Sequence, residues 1–156
     1  GSAGPYRGAK FSLFEGGIRL HAMISWPGRL PQNETRGQMV DSADWMTTLA
    51  ELCGVKTPEV KLNGRSLVPV LKSSTAPGPH DALHWQMGDS WAVREGDWKL
   101  IINARDTTKG DTGKERVPLF LSNPTADPGE KTNFADQQPE LTKHLRQLHD
   151  TIYAQP

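Results

Sequence analysis

The 156-residue sequence has a single cysteine, Cys53, which excludes an internal disulfide framework and any cysteine-built zinc site. No apolar run approaches the ~20 residues needed to span a bilayer, so no membrane partner is expected. Eighteen Lys and Arg balance eighteen Asp and Glu, leaving no global field for nucleic acid. No G-x-S-x-G elbow, P-loop, H-E-x-x-H pair or EF-hand loop occurs. No carboxylate cluster suits a hard cation, so no metal site is expected in the chain itself.

What the sequence does contain is turn chemistry: 15 Gly and 12 Pro break it into short elements. His21 to Trp26 (HAMISW) is an apolar run stopped by Pro27-Gly28, and a buried strand is predicted there. Asp41 or Ser42 can cap a helix that runs to Cys53, with Asp44 at the positive end of its dipole. Trp45, Leu49, Leu52 and Cys53 form its apolar stripe, and Gly54 is placed to end it. On that stripe Cys53 reads as a small buried hydrophobe. The connector Lys56 to His80 holds Pro58, Pro69, Pro77 and Pro79 around one or two helical turns at Leu67 to Leu71.

Beyond residue 80 the pattern alternates. Leu83, Trp85 and Met87 share one face of a strand, with His84 and Gln86 on the other. Ser90 to Ile102 reads as a hairpin turning at Glu95-Gly96-Asp97. A polar loop (Asn103 to Arg116), a strand (Val117 to Leu121) and the turn-forming NPTADPGE follow. The last element is a helix from Pro139, with Leu141, Leu145, Leu148 and Ile152 at helical spacing. The expected fold is therefore α/β at first and α+β in the second half. Residues 1–80 read as a strand-then-helix piece of an α/β layer. Residues 81–156 read as an antiparallel sheet of about four strands packed against a C-terminal helix.

Few titratable groups stand out. His144 and His149 lie on the polar flank of the last helix and read as solvated. His80 reads as structural, and His21 as either a core residue of its strand or a site-facing one. Asp89 and Asp127 occupy turns that Asp helps shape. By themselves the residues describe an α/β fragment without a self-contained active site.

Taken in order, several segments match one pattern. Gly8-Ala9-Lys10 through Glu15-Gly16-Gly17-Ile18-Arg19, followed by Trp26-Pro27-Gly28, fits G-x-K-x-x-x-F/Y-E-G-G-I-R before a strand ending W-P-G. Asp41 to Gly54, Asn63-Gly64-Arg65-Ser66-Leu67, Ala92-Val93-Arg94 with Gly96 and Trp98-Lys99-Leu100, and Asp127-Pro128-Gly129-Glu130 with Asn133 continue it. Together they resemble the C-terminal part of a type I sulfatase of the alkaline phosphatase superfamily.

That resemblance implies a sulfuric ester hydrolase. In the family a hydrated formylglycine, made from Cys or Ser in a C/S-x-P/A-x-R motif, attacks sulfur beside Ca²⁺ held by Asp and Asn. This sequence departs from that pattern: Cys53-Gly54-Val55-Lys56-Thr57 lacks both the Pro/Ala and the Arg. The family's nucleophile and metal ligands lie upstream of the matched motifs. The chain alone is therefore expected to be inactive and to hold no cofactor. Ca²⁺ and formylglycine belong, on this resemblance, to the full-length enzyme, which is expected to act on a sulfated small molecule or carbohydrate and to be exported, periplasmic or secreted. Its expected partner is the N-terminal sulfatase half, or a second copy meeting the strand edge at His21 to Trp26.

One site residue carries over. Lys10, five residues before Glu15, matches the lysine that contacts the substrate sulfate. A compact point charge suits oxygens that gain charge as the S–O bond breaks. Glu15 and Arg19 are expected to pair around Gly16-Gly17, where the backbone turns tightly. The family's C-terminal subdomain also helps to rim the substrate pocket, and His84, Gln86 and Asn103 to Arg105 are the residues expected there. The same residues admit two other readings: a non-catalytic assembly module that keeps the fold, or another hydrolase of the superfamily such as a phosphonate monoesterase.

Overall fold

The computed structural model describes residues 2–57, 59, 62–109 and 116–153. Pro58 of the connector and residues 110–115 of the polar loop lie outside them. The chain divides into two units, Gly1–His21 with Ala82–Pro156, and Ala22–Asp81. The division falls at residues 21/22 and 81/82, so the first segment goes with the sheet.

The first unit is built on strands β1 (Ala82–Met87), β2 (Ser90–Glu95), β3 (Trp98–Arg105) and β4 (Arg116–Ser122), antiparallel in the order β1-β2-β3-β4. The β2–β3 hairpin pairs Glu95 with Trp98 across Gly96, which sits at φ 54 as a tight turn requires. Alternation then sorts the side chains. Val93, Leu100 and Leu121 pack with Ala135 and Leu145, under helix α4 (Pro139–Tyr153). Ala92, Ile101 and Phe120 face the other way and are covered by Leu13 and Phe14 of the N-terminal segment, next to the one-turn helix α1 (Glu15–Ile18). The sheet thus has two covered faces. Asn103, at φ 56, breaks the alternation, so Ile101 and Ala104 lie in the same cluster. The predicted loop at 103–116 is correspondingly shorter, because both strands run further into it.

The second unit holds helices α2 (Asp44–Cys53) and α3 (Val68–Lys72). Asp41 accepts from the Ala43 N–H at 2.8 Å, and Asp44 accepts from the Asp41 N–H at 2.7 Å, closing the turn ahead of α2. Ala43 at the helix start carries no side-chain cap. Gly54 ends α2 at φ 66, as its position predicts.

Three expectations are corrected here. His21–Trp26 forms no strand: Met23 is 95% exposed and Leu20 81%. A strand needs a ladder partner, and none lies beside this segment among the described residues. His21 is accordingly exposed rather than a core residue. The face that α2 buries is its polar one, Asp44 and Thr48, whereas Leu49 and Cys53 of the apolar stripe are exposed. Hydrogen bonds explain this choice. Asp44 takes the Arg65 N–H at 2.7 Å and His80 Nε2 at 2.8 Å, and Thr48 Oγ1 takes the Leu67 N–H at 2.8 Å. A Cβ on Gly64 would meet the Ala43 carbonyl, so N-G-R-S-L can dock on α2 only with glycine at that point.

Candidate functional site

The segment that carries Lys10 is held from below by the loop after β3. The Gly8 N–H donates to Thr108 Oγ1 at 2.8 Å and the Ala9 N–H to Thr107 Oγ1 at 2.9 Å. Ser12 Oγ donates to the Arg105 carbonyl at 2.7 Å. Arg7 donates to Asp106 Oδ2 at 2.8 Å and to the Glu130 carbonyl at 3.1 Å, and its guanidinium lies 4.2 Å from the Phe14 ring centroid. Burial would raise the Asp106 carboxyl, but bonds from Thr108 and Arg7 outweigh it and hold the group below its ordinary 3.8.

Lys10 sits at the exposed tip of this clamped loop, its ammonium 5.0 Å from the Phe11 ring centroid. Phe11 adopts φ 70, a left-handed conformation that a bulky L-residue avoids. Strain of this kind, about 1–3 kcal/mol, persists only where the surroundings over-determine the backbone. The hydrogen bonds on both sides of Phe11 do so, and they present the lysine outward.

Beneath the loop lies a buried charge cluster that the motifs alone do not reveal. Lys99 Nζ donates to Glu15 Oε1 at 2.7 Å and to the Leu13 carbonyl at 3.2 Å, and lies 2.9 Å from Glu130 Oε1. All three donors of the ammonium are therefore used. Glu130 in turn takes the Glu15 N–H at 2.5 Å and the Ser122 hydroxyl at 2.9 Å. The expected Glu15–Arg19 pair forms at 3.4 Å, and Arg94 lies 3.8 Å from the same oxygen. Burial would raise the Glu15 carboxyl, yet Lys99, Arg94 and Arg19 together hold it below its ordinary 4.5. Gly16 and Gly17 serve close approach rather than a left-handed turn. A Cβ on Gly16 would lie 2.6 Å from the Arg7 carbonyl oxygen, and one on Gly17 2.6 Å from that of Ala9.

The other sequence-derived residues separate into two places. Asn103 and Arg105 lie on β3, where Arg105 touches the Lys10 loop through its carbonyl and Asn103 donates to Asp89 Oδ2 at 3.1 Å. His84 and Gln86 lie on the face packed by α4. Gln86 is exposed, and His84 Nε2 lies 2.9 Å from His149 Nδ1. His149 is stacked on Trp91 at 3.8 Å, not solvated as its place on the helix predicts, because β2 brings an indole beneath it. Burial, with His149 adjacent, pushes His84 below 6.5; burial also lowers His149, Arg146 adding to the effect and Asp150 opposing it.

Among the described residues no group of three or more His, Cys, Asp and Glu is arranged to hold a metal. The exposed Cys53, in C-G-V-K-T, offers no formylglycine precursor. Among the described residues none is thus arranged to hold the metal, and Cys53 does not fit a formylglycine precursor. No described helix is long and apolar enough to cross a membrane.

The four-stranded antiparallel sheet with its C-terminal helix is the architecture of a sulfatase C-terminal domain. The family model for "N-sulphoglucosamine sulphohydrolase, C-terminal" matches residues 8–155, and the chain belongs to that sulfatase family. It is 30% identical to arylsulfatase A of Homo sapiens over 95% of its length, and 27% identical to an N-acetylgalactosamine-6-O-sulfatase of Bacteroides thetaiotaomicron over 96%. It spans about a third of those proteins, 33% and 30% respectively. A solved structure from work on glycosaminoglycan metabolism by Bacteroides thetaiotaomicron superposes with a TM-score of 0.75 at 28% identity, over 96% of this chain and 32% of that one. A structure in complex with k-i-k-neocarrahexaose shares the fold at TM-score 0.70 and 23% identity, over 94% and 32%.

Proposed function

We propose that this chain is the C-terminal portion of a sulfate ester hydrolase, to which it contributes the cation that meets the substrate sulfate. The observation that carries the reading is Lys10 at the tip of a loop whose strained backbone is held in one conformation by hydrogen bonds to Thr107 and Thr108. A preorganised cation costs no reorganisation as the leaving oxygen gains charge, which is where electrostatic catalysis has its effect. Formylglycine and Ca²⁺ would come from the rest of the enzyme, and the substrate would be a sulfated small molecule or carbohydrate. Arg105, whose carbonyl accepts from Ser12 of the loop, and Asn103, two residues before it on β3, are our proposed rim residues. His84 and Gln86, on the α4 face, are assigned a structural part instead.

Hydrolysis of an aryl sulfate, compared between the full-length protein and the isolated 156 residues with Ca²⁺, tests the reading. Turnover by the full-length protein alone is expected. Turnover by the isolated chain, or by neither, contradicts it.

A further inference from the structure

An open cleft of about 780 Å³ lies beside the Lys10 loop, lined by Tyr6, Arg7, Thr108, Lys109, Glu130 and Lys131 among others. Its volume falls within the usual range of small-molecule sites. The two acids of its lining are already engaged. Asp106 is paired with Arg7, and the Glu130 carboxylate is turned inward to Lys99, Ser122 and the Glu15 N–H. Arg7 is likewise satisfied by Asp106 and the Glu130 carbonyl.

Lys109 and Lys131 are different. Both are exposed, and neither ammonium forms an ion pair among the described residues. The 127–131 turn fixes where Lys131 emerges: its N–H donates to Asp127 Oδ2 at 2.6 Å, and its Cε lies 3.3 Å from the position of a Cβ on Gly129. On the other wall, Thr108 receives the Gly8 N–H and donates to Asp106 at 2.6 Å, so the residue before Lys109 is tied to the Lys10 loop itself. Among the described residues, two cations without an ion pair therefore line one concave surface whose other charges are spent. Like charges in one cleft are unfavourable without an anion between them, and their field raises the local concentration of anions.

The cleft is also close to the proposed sulfate contact. Lys10 follows Arg7 by three residues, so their Cα atoms are at most about 11 Å apart. The cleft wall at Arg7 and the loop tip at Lys10 therefore belong to one stretch of surface, on the scale of a short oligosaccharide. We propose that the cleft is a second anion subsite, which takes a neighbouring carboxylate or sulfate of an acidic oligosaccharide while Lys10 holds the sulfate to be cleaved. This assignment rests on the sulfatase reading and narrows its substrate class to polyanionic saccharides.

The test uses the full-length protein and its Lys109→Ala/Lys131→Ala variant, with Lys109→Arg/Lys131→Arg as the charge-keeping control. Three probes are compared: an aryl sulfate, a monosulfated disaccharide with a uronate carboxylate, and a disulfated disaccharide of neutral sugars. For the alanine variant, KM for at least one disaccharide should rise about tenfold more than KM for the aryl sulfate. The arginine variant should stay near wild type. Whichever disaccharide responds identifies the second anion. Equal effects on all three probes, or none on either disaccharide, overturn the subsite.

If the wild type turns over no sulfate ester, the sulfatase reading falls, and direct binding of the two disaccharides decides the cleft. Binding lost in the alanine variant and kept in the arginine one supports the subsite. No binding, or binding that the alanine variant retains, overturns it.

Discussion

The ammonium of Lys99 sits 2.7 Å from Oε1 of Glu15, with the lysine side chain wholly buried and the glutamate nearly so. Glu130 completes the cluster from the other side. Each residue comes from a different motif: Glu15 from E-G-G, Lys99 from W-K-L, and Glu130 from D-P-G-E. Three segments far apart in the sequence are thus joined by one buried ion cluster, which supports the loop that ends in Lys10.

Removing the cation should leave two carboxylates facing each other out of water. Lys99→Met keeps the volume but not the charge, and is expected to cost about 3–5 kcal/mol, the range for breaking a buried pair. Urea unfolding of the purified domain measures this. A change indistinguishable from wild type would show that the cluster contributes nothing to holding the loop.

The same cluster sets an acid limit. The Glu15 carboxyl titrates lower in the folded chain than its ordinary 4.5, so the unfolded state binds the proton first as pH falls. The stabilisation is present above about pH 4.5 and is lost as pH drops through the lower folded value. Melting temperature followed from pH 6 to pH 3 should fall steeply at the acid end, and Glu15→Gln should flatten that slope. An unchanged slope in the variant would remove Glu15 as its source.

His84 and His149 add a second dependence, in a different window. One imidazole donates to the other at 2.9 Å, an arrangement that two imidazolium rings cannot make. Both titrate below 6.5 in the fold, so below that pH the unfolded chain takes up protons that the native pair resists. Stability should therefore rise with pH through this range and level off above about 6.5. His84→Phe should reduce the rise, as read from melts between pH 5 and pH 7.5. A rise that persists at full size in the variant would contradict the assignment.

Gly17→Ala tests the close approach at the E-G-G turn. Its Cβ would collide with backbone oxygens of Ser12 and Ala9, so neither neighbour can yield by rotating a side chain. The variant should lose more stability than the about 0.5–1 kcal/mol by which glycine in a helix ordinarily trails alanine, and with the opposite sign. Greater stability in Gly17→Ala would refute the contact.

How legible was this in the sequence? The sheet was, because Trp91 and Val93 before Gly96, and Trp98, Leu100 and Ile102 after it, alternate cleanly under a single helix with a four-residue stripe. Lys99 and Glu130 were not. Alternation puts Lys99 on the face opposite Trp98 and Leu100, which in a sheet with one covered face would be solvent. Here residues 13 and 14 cover that face, and no local pattern announces a cover made by a distant loop. The helix at Asp44–Cys53 failed in a related way. Its apolar stripe predicted the buried side, but the hydrogen bonds of Asp44 and Thr48 chose the polar one. For the site, Lys10 came from motif resemblance and its clamped loop from the structure. The cleft beside it appears only when residues 4–7, 106–109 and 129–131 are brought together.

The measurement that bears most directly on the account is kcat/KM for an aryl sulfate in the full-length protein carrying Lys10→Ala. A fall of about 10²–10³-fold is expected, comparable to losing one preorganised donor at a developing oxyanion, with the fold and the acid transition intact. Unchanged kcat/KM in a folded variant would contradict it, because the clamped loop would then present a cation that the reaction does not use.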